Sequence, residues 1–249
     1  MSIHKTEAVV LRKRDFRETS LIVDFYTREY GKISGLLKGI RADPRKFAST
    51  LEPFSHNEIV FYRKRNTSLH LVSQCDVRDN FDGVRQDIEK CGIGSFMMEL
   101  LAAVMPPEDK NGEVFGFSLS CLQELSKLSQ PHKIETIYKI KMLALSGFKP
   151  HFDSCVLCGR KISGQSRFSL KNGGLLCPAC FTRDPAGRQI FRGTIATILY
   201  IEKNGLSESL KLGMNPQIRK ELQAILNAFL HFHLDRQLKS QRVLEEVSL

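Results

Sequence analysis

Cys155 and Cys158, then Cys177 and Cys180, form two Cys-x-x-Cys pairs with eighteen residues between them. That is the spacing of a four-thiolate zinc site. Each pair can sit on a tight turn that aims both sulfurs at one ion, and Gly159 after the first pair and Pro178 inside the second suit such turns. A site closed by four thiolates leaves no position for water, so its chemistry is structural rather than hydrolytic. One zinc ion per chain is the expectation, with iron the other metal that tetrahedral sulfur suits. The rival chemistry, a redox-active dithiol, uses one Cys-x-x-Cys at a helix N-terminus after a strand, and no βαβ pattern surrounds either pair.

Little else in the chain specifies covalent chemistry. The histidines, His4, His56, His70, His132, His151, His231 and His233, are scattered without a spacing that pairs them to a carboxylate or metal. Lys38-Gly39 lacks the rest of a phosphate-binding G-x-x-x-x-G-K-[ST] loop, so ATP hydrolysis is not expected. No catalytic residue is assigned and no enzyme activity is expected. Cys75, Cys91 and Cys121 lie singly among apolar residues and read as buried small hydrophobes.

Charge is more telling. The net charge of +10 divides into +5 over residues 1–80, −2 over 81–147, +6 over 148–192 and +1 over 193–249. Lysine and arginine confined to two segments suit a polyanion, because cations that neutralise phosphates release condensed counterions. Arg12, Lys13, Arg14 and Arg17 form one cluster and Arg63, Lys64 and Arg65 another, interleaved with Phe16, Tyr26, Tyr30, Phe47, Phe61 and Tyr62. A positive groove with stacking platforms is how single-stranded nucleic acid is held. The alternative is that most of these aromatics are core and the charges merely solvated, since a period-two strand buries one face.

The elements that must position these residues follow from periodicity. Thr6–Leu11, Ser20–Tyr26, Lys32–Leu37, Glu58–Tyr62 and Ser68–Val72 read as five short strands, which suggests a small closed barrel, of which the OB type is one solution. Residues 27–31 form a hairpin loop ending in Gly31, and the basic, breaker-rich stretch 38–46 reads as a mobile loop. From about Asp82 the period becomes helical, and Pro106-Pro107 ends that helix. Val114–Leu128, Ile134–Leu145, Ile190–Ile201 and Pro216–Leu238 continue the pattern on both sides of the cysteine segment. That segment has too few periodic apolar residues for a core of its own, and metal binding would supply the missing folding energy. Seven cysteines without an apolar signal-like N-terminus suggest a reducing cytoplasm, and no apolar run approaches the roughly 20 residues needed to span a bilayer.

Three phrases carry a resemblance: Glu7-Ala8-Val9-Val10-Leu11-Arg12 with Glu18 to Val23, Thr27 to Lys32, Lys38-Gly39 and Leu51-Glu52-Pro53-Phe54; Lys141 to Pro150 leading into Cys155; and His231 to Ser240. Their order resembles the RecO family of bacterial recombination mediators nearly end to end. The resemblance implies a non-enzymatic protein of recombinational DNA repair, cytoplasmic and nucleoid-associated. Such a protein binds single- and double-stranded DNA, anneals complementary strands, and with RecR helps load RecA onto DNA coated by single-strand binding protein. It implies contact of the helical domain with the acidic tail of that coating protein. Family members often show Arg-Phe-Glu where Ile137-Tyr138-Lys139 stand here. It also implies a DNA surface drawn from Arg12, Arg14, Lys32, Lys38, Arg41, Arg45, Lys46, Arg63 and Arg65. The expected fold is α+β and multidomain: an OB-type barrel over 1–80, a helical domain over 81–150 and 185–249, and a zinc module over 151–184 within it. The alternative function is a zinc-ribbon factor of the transcription or translation machinery that binds RNA or protein.

Overall fold

The structure, a computed structural model, describes residues 2–43, 45, 47–63, 67–234 and 238–247, with side chains as far as 244. It contains two compact units, Met1–Pro131 with Leu238–Leu249, and His132–Gln237. This division differs from the expected one, because the helices that follow the barrel in sequence pack with it rather than with the helices around the cysteines.

In the first unit β1 (Ser2–Phe16), β2 (Ser20–Thr27), β3 (Gly31–Leu37), β4 (His56–Arg63) and β5 (Leu69–Asp79) close a barrel in the order β1-β2-β3-β5-β4. β1 is far longer than its apolar stretch, and it serves two neighbours. Its residues 2–9 pair antiparallel with β4, while residues 8–16 pair antiparallel with β2, with a bulge at Leu11 where register shifts. β3 and β5 pair in parallel. Alternate residues fill the interior: Ala8, Val10, Val23, Phe25, Ile33, Leu37, Ile59, Phe61 and Val72, joined by Ile40, Phe47 and Leu51 from the β3–β4 connection. Within that connection the Arg41 N–H also donates to the Thr19 carbonyl at 2.9 Å.

The hairpin glycine is required twice over. Gly31 has φ +61°, and a Cβ there would lie 2.2 Å from the Asp109 carbonyl oxygen. The approach of residues 105–109 to β3 follows α2 (Ile88–Val104), whose N-cap Asp87 accepts from the Glu89 and Lys90 amides. α1 (Asp82–Arg85) precedes it, and α3 (Gly112–Lys127), capped by Asn111, follows. α8 (Lys239–Val247), unforeseen in the sequence, returns to α2. Its first amides, Lys239 and Ser240, donate to the Glu99 carboxylate at 3.0 and 2.8 Å. Gly92 lets it come close, since a Cβ there would meet Leu244 at 2.7 Å.

The second unit packs α4 (His132–Leu145), α5 (Arg192–Lys203), α6 (Leu206–Lys211) and α7 (Pro216–Leu234) against one another, and also holds a small sheet ordered β7-β6-β8, with β6 Arg167–Ser169, β7 Gly174–Leu176 and β8 Arg188–Gln189. The cysteine segment is tied to its unit by aromatics: Phe152 stacks on Phe168 at 5.3 Å, and Phe168 meets Phe229 of α7 at 6.1 Å. Ile137, Tyr138 and Lys139, where the family phrase differs, are buried in α4. Lys139 Nζ donates to Glu135 at 2.5 Å, one helical turn away, and to Asn227 of α7 at 2.8 Å. Among the described residues no helix is long and apolar enough to cross a membrane.

Candidate metal centre and basic barrel face

The first cysteine pair lies on a loop and the second at the start of a 3-10 turn, Pro178–Arg183, where proline suits the first position. The loop closes on itself: the Gly159 amide donates to the Cys155 carbonyl at 2.8 Å with Gly159 at φ +70°, and the Cys155 amide donates to the Arg160 carbonyl at 2.9 Å. The Val156 amide then pins this loop to the Leu175 carbonyl of β7 at 2.8 Å, next to Cys177. As a result the four sulfurs lie within 4.8 Å of one another, with Cys158 and Cys177 at 3.7 Å. Thiolates about 2.3 Å from a tetrahedral ion stand about 3.8 Å apart, so the set fits a metal. Cys155, Cys177 and Cys180 are buried and Cys158 is exposed.

The electrostatics agree with that fit. Burial opposes ionisation of Cys155, but amides of Cys177, Leu157 and Cys158 donate to its sulfur and bring it down to about 6. Burial and the neighbouring sulfurs push Cys180 up to about 12. The lowered Cys155 gives the cage one thiolate, the form in which cysteine ligates a metal. Val156, Leu157, Ile162, Leu176 and Phe181 shield the cage, so the segment does have a small apolar core, grown around sulfur.

Of the remaining cysteines, Cys75 and Cys121 are buried as expected, with burial pushing the Cys75 thiol up to about 12. Cys91 is half-buried, because it stands near the start of α2.

The barrel sorts the candidate DNA residues into groups. Arg12 and Arg14 lie exposed on the outer face of β1, opposite Asp24 and Ile22 of β2. Asp24 is buried, accepts from Arg12 Nε at 2.5 Å and from Ser34 Oγ at 2.5 Å, and lies 3.9 Å from Arg14. Lys38 is exposed after β3, and Arg41 is exposed 3.4 Å from Asp15. The Arg45 side chain is 93% exposed, with Asp43 at 3.3 Å. Arg63 closes a 2.5 Å ion pair with Glu108, and its guanidinium lies over the Tyr30 ring, 5.9 Å from the ring centre. Lys32 is different in kind: its Nζ donates to the Ala102 and Met105 carbonyls at 2.7 Å each, closing the C-terminus of α2. Lys46 and Arg65 lie outside the described residues.

The aromatics divide between core and surface. Tyr26, Phe47 and Phe61 are buried, while Phe16, Tyr30 and Tyr62 are half-exposed. Asp24 and Ser34 are the members of the basic face that sequence reasoning missed. An alternation counted from inward-facing Val10 sends Arg12 inward, and only the bulge at Leu11 turns it outward to meet Asp24.

Residues 1–81 match the family model described as recombination protein O N terminal, and residues 85–242 match recombination protein O C terminal. Relatives extend over both. A DNA repair protein RecO from Alkaliphilus metalliredigens is 32% identical over 93% of this chain and 94% of its own. Those from Syntrophus aciditrophicus and Bacillus pumilus are 29% and 28% identical, each over 98% of this chain and over 96% and 94% of their own lengths. With both family models in sequence order, an N-terminal barrel and a thiol cage following it, the chain belongs to the RecO family of DNA repair and recombination proteins.

Proposed function

We propose that this chain is a non-enzymatic mediator of recombinational repair, binding single- and double-stranded DNA through the exposed cations of its barrel. The observation that supports this most directly is the grouping of Arg12 and Arg14 on one outer face, with Lys38, Arg41 and Arg45 on the connection beyond β3. Cations on one face can neutralise two strands at once, which lowers their mutual repulsion and lets base pairing complete the annealing. No covalent step is needed. Acting with RecR, the protein would help RecA replace single-strand binding protein, whose acidic tail would contact the helical part of the chain. The four cysteines hold one zinc ion as a structural brace, and the protein works in the cytoplasm at the nucleoid.

Annealing of complementary oligonucleotides precoated with single-strand binding protein tests the whole proposal, and acceleration by this chain is the expected result. The logarithm of the affinity for single-stranded DNA should fall linearly with the logarithm of salt concentration. Arg12→Ala/Arg14→Ala should reduce that slope by about 1.4, at about 0.7 per phosphate contact. Binding that barely changes with salt would sink this reading, and a clear preference for RNA would favour an RNA-binding zinc-ribbon factor instead.

A further inference from the structure

Within the basic face, one acidic residue stands where neutralising phosphates would forbid it. Asp24 is only 8% exposed, on the outward side of β2 between inward-facing Val23 and Phe25. Burial alone would raise its pKa. The Ser34 hydroxyl and the Arg12 guanidinium outweigh that and hold the carboxyl below its ordinary value, with Arg14 adding attraction. The group is therefore a fixed anion. Both its oxygens are used: Oδ1 accepts from Ser34 and Oδ2 from Arg12 Nε, with Arg14 Nη1 3.9 Å away. Arg12 nevertheless remains 68% exposed in its side chain.

Among the described residues only Nε of Arg12 is engaged, which leaves its two terminal nitrogens available on a side chain anchored at Nε. A guanidinium is planar, so a carboxylate gripping one edge fixes the orientation of the whole donor fork. A free arginine on a strand would lose rotamer entropy on binding phosphate, whereas a gripped one has lost most of it on folding. Resting on the proposal that the barrel face binds DNA, we infer that Asp24 is a positioning residue, which with Ser34 orients Arg12 and Arg14 for the phosphodiester backbone of a single strand.

The inference opposes simple charge counting. If Asp24 only offsets positive charge, Asp24→Asn adds one unit to the face and tightens binding of every polyanion. If it positions the arginines, Asp24→Asn weakens single-stranded DNA about three- to tenfold at fixed salt, while inorganic polyphosphate, which makes no geometric demand, binds as well or better. Arg12→Lys, which keeps the charge and loses the fork, should produce the same loss for DNA. The double variant Asp24→Asn/Arg12→Lys should be no worse than either alone.

The experiment measures oligonucleotide and polyphosphate affinity of the full chain for these variants beside Arg12→Ala/Arg14→Ala. Equal tightening of both ligands by Asp24→Asn, or additive losses in the double variant, overturns the inference. Should Asp24→Asn fail to fold, Ser34→Ala releases one carboxylate oxygen without altering charge. An unchanged DNA-to-polyphosphate ratio in that variant overturns the inference equally. If Arg12→Ala/Arg14→Ala leaves DNA binding unchanged, the barrel-face proposal itself falls. If that double variant weakens DNA binding and Asp24→Asn does not, only the role of Asp24 falls.

Discussion

Glu135 and Lys139 are buried one turn apart in α4, and their pairing makes the second unit sensitive to acid. Burial by itself would raise the Glu135 pKa, but the Lys139 ammonium and His132 bring it down from 4.5 to about 2. A depressed carboxyl contributes stability that is complete above the unfolded value and lost as pH falls through the folded one. Unfolding free energy should therefore decline from about pH 4.5 towards pH 2, and Glu135→Gln should flatten this limb in denaturant titrations followed by far-ultraviolet dichroism. Lys139→Met, which strands a buried carboxylate, should cost about 3–5 kcal/mol at neutral pH. Residues of this kind were only partly legible. The cysteines announce themselves because metal chemistry fixes their spacing, and the buried lysine does not, because lysine is ordinarily solvated.

At the scale of elements, period-two and helical patterns locate the five barrel strands and the principal helices because each buries one continuous face. What they miss is governed by contacts distant in sequence. β1 continues to Phe16 through charged residues because β2 lies beside it, and α8 is mostly polar and is held by partners on α2. Glu99 supplies the carboxylate that α8 lacks in its first turn, accepting from the Lys239 and Ser240 amides and from Ser240 Oγ. Glu99→Ala should cost about 1 kcal/mol, as loss of an N-cap does, and should speed amide hydrogen exchange over 239–247 well ahead of the barrel strands. Unchanged protection in α8 would show that its other contacts hold the helix down.

For the whole molecule, the thiol cage belongs entirely to the second unit and the basic barrel face to the first. Chelation, or Cys177→Ser, should thus lower the unfolding temperature of the second unit and abolish bound zinc, while leaving the barrel transition and most oligonucleotide affinity intact. Calorimetry with metal analysis checks this. A single transition that shifts as a whole would mean that the units melt together. Sequence reading did not anticipate which helices join the barrel, since amphipathic faces reveal that a helix packs but not on what.

The double duty of β1 has a consequence for how the protein is made. Residues 2–7 find their partners only in His56–Arg63, and the barrel closes only when Leu69–Asp79 bridges β3 and β4. Until Leu69–Asp79 has been synthesised, β3 and β4 each keep a bare edge and the ring of hydrogen bonds is incomplete. Nascent chains arrested before Leu69 should be protease-sensitive throughout, with protection arriving in one step rather than strand by strand.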